Sequence, residues 1–134
     1  MMRKNILNIG AILFLAVLVA GISNAQAAGD IFIIPVSDAI GPGVADFISK
    51  GIEQANEEDG ACIILELNTP GGLVESMRKI VMSIYNSRIP VVVFVAPSGG
   101  RAASAGVMIT LAADVAAMAP GTNIGAAHPV GAGG

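Results

Sequence analysis

The sequence predicts an α/β domain built on a parallel sheet. Three observations carry that reading. Short apolar, β-branched runs recur at Ile31–Val36, Cys62–Asn68 and Val91–Ala96. Amphipathic helical patterns fill the stretches between them, and Gly/Pro clusters punctuate the junctions. Strands that alternate with helices in this order form right-handed βαβ units. The 134 residues are 54% hydrophobic and only 13% charged, enough apolar mass for one folded domain and too much for a disordered chain.

The first segment reads as an address rather than as fold. Arg3 and Lys4 precede fourteen mainly apolar residues, Ile9 to Ile22, and the stretch closes on Ala25-Gln26-Ala27. A basic start, a short apolar run and an A-x-A site together describe a secretory signal peptide. The run is shorter than the roughly 20 residues of a membrane-spanning helix. An uncleaved anchor is the alternative. On either reading residues 28–134 are exported, and residues 1–27 form no part of the domain.

Ile31 to Val36 predicts a strand buried on both faces, broken by Gly41-Pro42-Gly43. Val44, Phe47, Ile48, Ile52 and Ala55 then recur at helical spacing, with Asp46, Lys50, Glu53 and Glu57 opposite, and the helix ends near Asp59-Gly60. A second buried strand, Cys62 to Asn68, stops at the turn Thr69-Pro70-Gly71-Gly72. In the next helix Leu73, Met77, Ile80, Val81 and Ile84 face inward. Pro90 opens the third strand. Ala102 to Ala113 predicts a buried helix, Val115 to Ala119 a short fourth strand, and Thr122 onward shows no periodicity. The sequence closes on Gly131-Ala132-Gly133-Gly134 rather than on an element, which leads us to expect a longer protein of which this domain is an incomplete part.

Composition narrows the function. Seven basic against ten acidic residues provide no electrostatic footprint for nucleic acid, and without Arg3 and Lys4 the balance falls to about five against ten. One Cys and one His cannot assemble a structural zinc site, and no cofactor motif is present. In parallel sheets, ligands bind beyond the carboxyl ends of the strands. Two unusual loops leave those ends: Thr69-Pro70-Gly71-Gly72, and Gly99 to Gly106, in which Ser104 is flanked by Ala102-Ala103 and Ala105-Gly106. Ser104 is either a helix cap in a tightly packed segment or a nucleophile beside free N–H groups.

The segment Gly100-Arg101-Ala102-Ala103-Ser104-Ala105-Gly106 resembles the nucleophile segment of the Clp proteolytic subunit and its relatives, and Asn68-Thr69-Pro70-Gly71-Gly72 resembles their oxyanion loop. With the signal peptide and the run Ala119 to Val130, the chain is similar to the NfeD family of membrane-associated, ClpP-class serine proteases. The resemblance covers residues 28–134. It implies a ClpP/crotonase-like spiral of βαβ units with a mostly parallel sheet, C-terminally incomplete here. It also implies Ser104 as nucleophile and the N–H groups of Gly72 and Ala105 as oxyanion donors. The implied base is a lysine beyond residue 134, with no metal and no cofactor. Implied partners are hydrophobic peptide segments of stomatin-like membrane proteins and further copies of the chain in a homo-oligomer.

Within the chain itself the base is the weak point. Lys50 and Lys79 lie on helical polar faces and read as solvated charges. His128 falls where a Clp-type histidine would follow the nucleophile, and reads as a candidate base or as a groove or surface residue. Asp114 is a candidate to orient such a base, and Cys62 reads as a small core residue. Two rival readings keep the fold: a crotonase-like acyl-thioester enzyme, against which export argues, and a non-catalytic membrane scaffold.

Overall fold

The computed structural model describes residues 29–127. The expected signal peptide, residues 1–27, and His128 therefore lie outside the described residues. Four strands form one parallel sheet in the order β1-β2-β3-β5: β1 Ile31–Ser37, β2 Cys62–Asn68, β3 Val91–Val95 and β5 Val115–Met118. Three helices connect them: α1 Pro42–Glu57, α2 Val74–Tyr85 and α3 Ala105–Leu111. Two short strands, β4 Arg101–Ala102 and β6 Asn123–Ile124, pair parallel in a separate ribbon. The expected alternation and the parallel sheet are present, and isolated bridges at Ile40–Gly72 and Thr69–Ala102 link successive turns into a spiral.

The core forms where one face of the sheet meets the helices. Leu65 and Leu67 of β2 and Val91, Val93 and Val95 of β3 are fully buried, and Ile34 and Val36 of β1 nearly so. They pack with Ala45, Ile48, Ile52 and Ala55 of α1 and Ile80 and Ile84 of α2. Each buried Val, Leu or Ile side chain contributes about 1.5–3 kcal/mol on leaving water. Pro42 suits the first turn of α1, where its missing N–H is not needed.

Several sequence expectations are corrected. β1 is not buried on both faces: it is an edge strand whose Ile31 and Ile33 are each 59% exposed. Alternation wins there because, among the described residues, no helix covers the second face. Phe47 and Leu73, expected inward, are exposed at 54% and 59%. Phe47 lies beside the stripe of α1 that meets the sheet, and Leu73 precedes the first turn of α2. The expected helix over Ala102 to Ala113 is shorter, because Arg101 and Ala102 are drawn into β4 by pairing with β6. No local pattern announced β6: a two-residue strand is defined only by its partner. Cys62 is half-buried on the open sheet face rather than in the core.

Candidate active site

The two glycine-bearing loops meet at the carboxyl end of β2 and β3. Beyond Asn68 the chain keeps its extended course and pairs with the β4 segment. The Thr69 N–H donates to the Arg101 carbonyl at 2.7 Å, and the Ala103 N–H to the Thr69 carbonyl at 3.1 Å. The Asn68 side chain adds a third tie, its Oδ1 accepting from the Arg101 N–H at 3.1 Å. Backbone pairing thus fixes the separation of the loops without help from any charge.

Ser104 stands at the turn from β4 into α3 with φ 52° and ψ −112°. A positive φ is uncommon for a residue with a side chain and costs on the order of 1–3 kcal/mol. The surroundings hold it there: the Ser104 N–H donates to the Ala126 carbonyl at 2.8 Å, and its carbonyl accepts from the Val107 N–H at 3.0 Å. The capping alternative fails, because the hydroxyl makes no cap hydrogen bond to α3. The residue is exposed, and its Oγ has no hydrogen-bond partner among the described residues. A strained strand-to-helix turn that presents a free hydroxyl is the geometry of a nucleophile elbow.

Small residues make the close approach feasible. A Cβ on Gly71 would lie 2.6 Å from Ser104 Cβ, and one on Gly106 would lie 2.7 Å from Thr69 Cγ2. A Cβ on Gly72 would collide with the Ile40 backbone. Gly72, Val74, Met77, Ser104, Ala105, Met108 and Ala127 line one cleft of about 260 Å³. The N–H groups of Gly72 and Ala105 have no acceptor among the described residues. The sequence singled out Ser104, Gly72 and Ala105, and the fold brings all three to one cleft. The apolar walls supplied by Val74, Met77 and Met108 went unrecognised, because helical spacing alone marks such residues as core.

Other candidates fall away. Asp114 sits at the far end of α3 from Ser104, where its Oδ2 accepts from the Val91 N–H at 2.8 Å. It ties the start of β3 and orients nothing at the cleft. Lys79 forms an exposed ion pair with Asp46 at 2.5 Å, and its ammonium holds the Asp46 carboxyl below its ordinary value. A larger cavity, about 390 Å³, lies by the C-terminal halves of α1 and α2, at the amino end of the strands. Its serines, Ser49 and Ser83, bond each other at 2.8 Å.

The chain is similar to known proteins. A curated relative, "Membrane-bound protease PH1510" of Pyrococcus horikoshii, is 37% identical over 129 residues, which is 96% of this chain and 28% of the relative. Three solved structures are of a 1510-N membrane protease. One, "1510-N membrane protease specific for a stomatin homolog from Pyrococcus horikoshii", has a TM-score of 0.70 at 40% identity, over 75% of this chain and 50% of that one. The other two are of the "1510-N membrane-bound stomatin-specific protease" in substituted forms. A serine-to-alanine form superimposes with a TM-score of 0.76 at 38% identity, over 78% of this chain and 51% of that one. A lysine-to-alanine form in complex with a substrate peptide gives 0.75 at 39%, over 78% and 48%. The chain thus spans about half the length of these solved relatives and under a third of the curated one. A family model described as "NfeD1b, N-terminal domain" matches residues 30–134, and to that family the chain belongs.

Proposed function

We propose that residues 28–134 are part of the peptidase domain of a membrane-associated serine endopeptidase, exported behind a signal peptide at residues 1–27. One observation carries the reading: an unpartnered serine hydroxyl on a strained turn shares a cleft with two free N–H groups. In this reaction Ser104 Oγ attacks a peptide carbonyl carbon while a base takes its proton. The carbonyl oxygen becomes an oxyanion held between the N–H groups of Gly72 and Ala105. The C–N bond then breaks, the amine leaves with a proton from the base, and water releases the acyl group from Ser104. Nothing in this sequence of steps calls for a metal or cofactor.

The base in this reading is a lysine beyond residue 134, consistent with relatives studied in serine- and lysine-substituted forms. Hydrophobic peptide segments suit the apolar walls of the cleft, and stomatin-like membrane proteins follow by analogy with the solved relative. Association with the membrane and with further copies of the chain belongs to the same reading. His128 deserves one comparison, since it directly follows Ala127, a residue lining the cleft.

In the full-length protein, Ser104→Ala is expected to abolish cleavage of a hydrophobic peptide and labelling by a fluorophosphonate, with the fold intact. His128→Ala is expected to retain activity. Undiminished cleavage by Ser104→Ala overturns the nucleophile assignment. Loss of cleavage in His128→Ala replaces the lysine with a Clp-like histidine.

A further inference from the structure

The donor loop has a feature that a glycine turn alone does not explain: a fully buried threonine hydroxyl bonded to both the N–H and the carbonyl of Gly71. Thr69 is 0% exposed. Its Oγ1 accepts from the Gly71 N–H at 3.1 Å and lies 3.3 Å from the Gly71 carbonyl oxygen, to which the hydroxyl donates. The same carbonyl accepts from the Ile40 N–H at 2.8 Å. The Gly71 carbonyl and the Gly72 N–H belong to one peptide plane, and this peptide is trans. In a trans peptide the C=O and N–H point in opposite directions. Anchoring the Gly71 oxygen on the side of Thr69 and Ile40 therefore turns the Gly72 N–H the other way, toward the cleft that Gly72 shares with Ser104 and Ala105.

The anchor is needed because glycine is permissive. Gly71 has φ +109° and no side chain to resist rotation, so the Gly71–Gly72 peptide has little intrinsic reason to keep one orientation. A rotated peptide would present a carbonyl oxygen to a developing oxyanion, replacing attraction by repulsion. Thr69 is also the joint between the two loops. Its backbone pairs with Arg101 and Ala103, and its Cγ2 lies against Gly106. One residue thus sets the donor peptide relative to the nucleophile turn.

We propose that Thr69 is a positioning residue for catalysis, its hydroxyl fixing the direction of the Gly72 N–H donor. This rests on the serine-peptidase reading above. The test compares substitutions in the full-length protein, with kcat counted per phosphonate-titrated Ser104. Thr69→Val keeps the shape and removes the hydroxyl. It is expected to lower kcat about 10- to 100-fold, short of the loss for a deleted donor, while KM stays within about twofold. Thr69→Ser and Thr69→Ala both lack the methyl and differ only in the hydroxyl, so they decide the matter even if Thr69→Val does not fold. Thr69→Ser is expected to keep kcat within about threefold of wild type, and Thr69→Ala to fall to the level of Thr69→Val. Equal kcat per titrated site in the serine and alanine variants overturns the proposal, whatever their melting temperatures, because a structural role alone changes only the active fraction. A wild-type protein that neither cleaves peptide nor takes up the phosphonate overturns the peptidase reading instead.

Discussion

At the scale of the residue, the site depends on side chains that are absent as much as on those present. Gly71 has a positive φ and backs directly onto Ser104, so Gly71→Ala meets both backbone strain and a steric clash. We expect a stability loss of about 1–3 kcal/mol and at least a tenfold fall in kcat/KM, as the new methyl displaces the hydroxyl. Gly99 supplies the control. It too has a positive φ, +81°, but a Cβ there meets nothing within 4 Å. Gly99→Ala should show a similar strain cost in denaturant melts and leave kcat/KM unchanged. Equal activity losses in the two variants would show that general strain, rather than displacement of Ser104, governs the rate.

At the scale of the element, α1 and α2 are held together by a buried stripe and decorated by one exposed ion pair. Lys79 is outside the cleft, so Lys79→Met should leave peptide cleavage unaltered, a result that separates it from any base. Its effect on stability has a definite pH dependence. Lys79 depresses the Asp46 carboxyl below its ordinary 3.8, so the pair stabilises the fold above that value. The contribution is lost as pH falls through the depressed value. Both partners are about half exposed, so the contribution is small and screened by salt. Urea midpoints of wild type and Lys79→Met should differ slightly near pH 7 at low salt and converge in strong acid. By contrast Ile48→Ala, which empties part of the fully buried contact between α1 and the sheet, should cost about 2–5 kcal/mol at any pH.

At the scale of the whole molecule, the sheet is covered by helices on one face only, among the described residues. The pairing register lines Ile33, Ile64, Val92 and Val115 in one row across the open face. Parallel sheets are ordinarily buried on both faces, and exposed apolar edge strands invite association. A purified chain of residues 28–134 should therefore aggregate readily. Ile33→Lys and Val115→Lys, placed on the two edge strands, should raise its solubility limit with an unaltered far-UV spectrum. Unchanged aggregation in the double variant would locate the sticky surface elsewhere, the exposed Leu73 and Val74 at the cleft and Leu111 at the end of α3 being next. The proposed export makes a separate prediction: N-terminal sequencing of the secreted or membrane fraction should find a start near Ala28, and an intact Met1 would mark an anchor.

Much of this was legible in the order of residues. Period-two and period-3.6 patterns are local properties of the chain, so the βαβ alternation and the cores of β2, β3, α1 and α2 could be read directly. The two loops could be read too, because glycine and proline punctuate a chain wherever they occur. The order of residues did not say which patterned faces would find a partner. Ile31 and Ile33 of β1 look as buried as Ile63 and Leu65, yet only the latter lie beneath helices, because coverage depends on the path of distant segments. β4 and β6 are too short to carry a pattern and exist only as each other's partners. At the site, the candidates Ser104, Gly72 and Ala105 came from the sequence. The strained turn at Ser104 and the free N–H groups came from tertiary structure alone; the bonds of Thr69 Oγ1 to Gly71 are local, and tertiary structure adds the Ile40 N–H on the same carbonyl. The long-range hydrogen bonds Ile40–Gly71, Thr69–Arg101 and Ser104–Ala126 set the site's direction in space, and no local spacing encodes them.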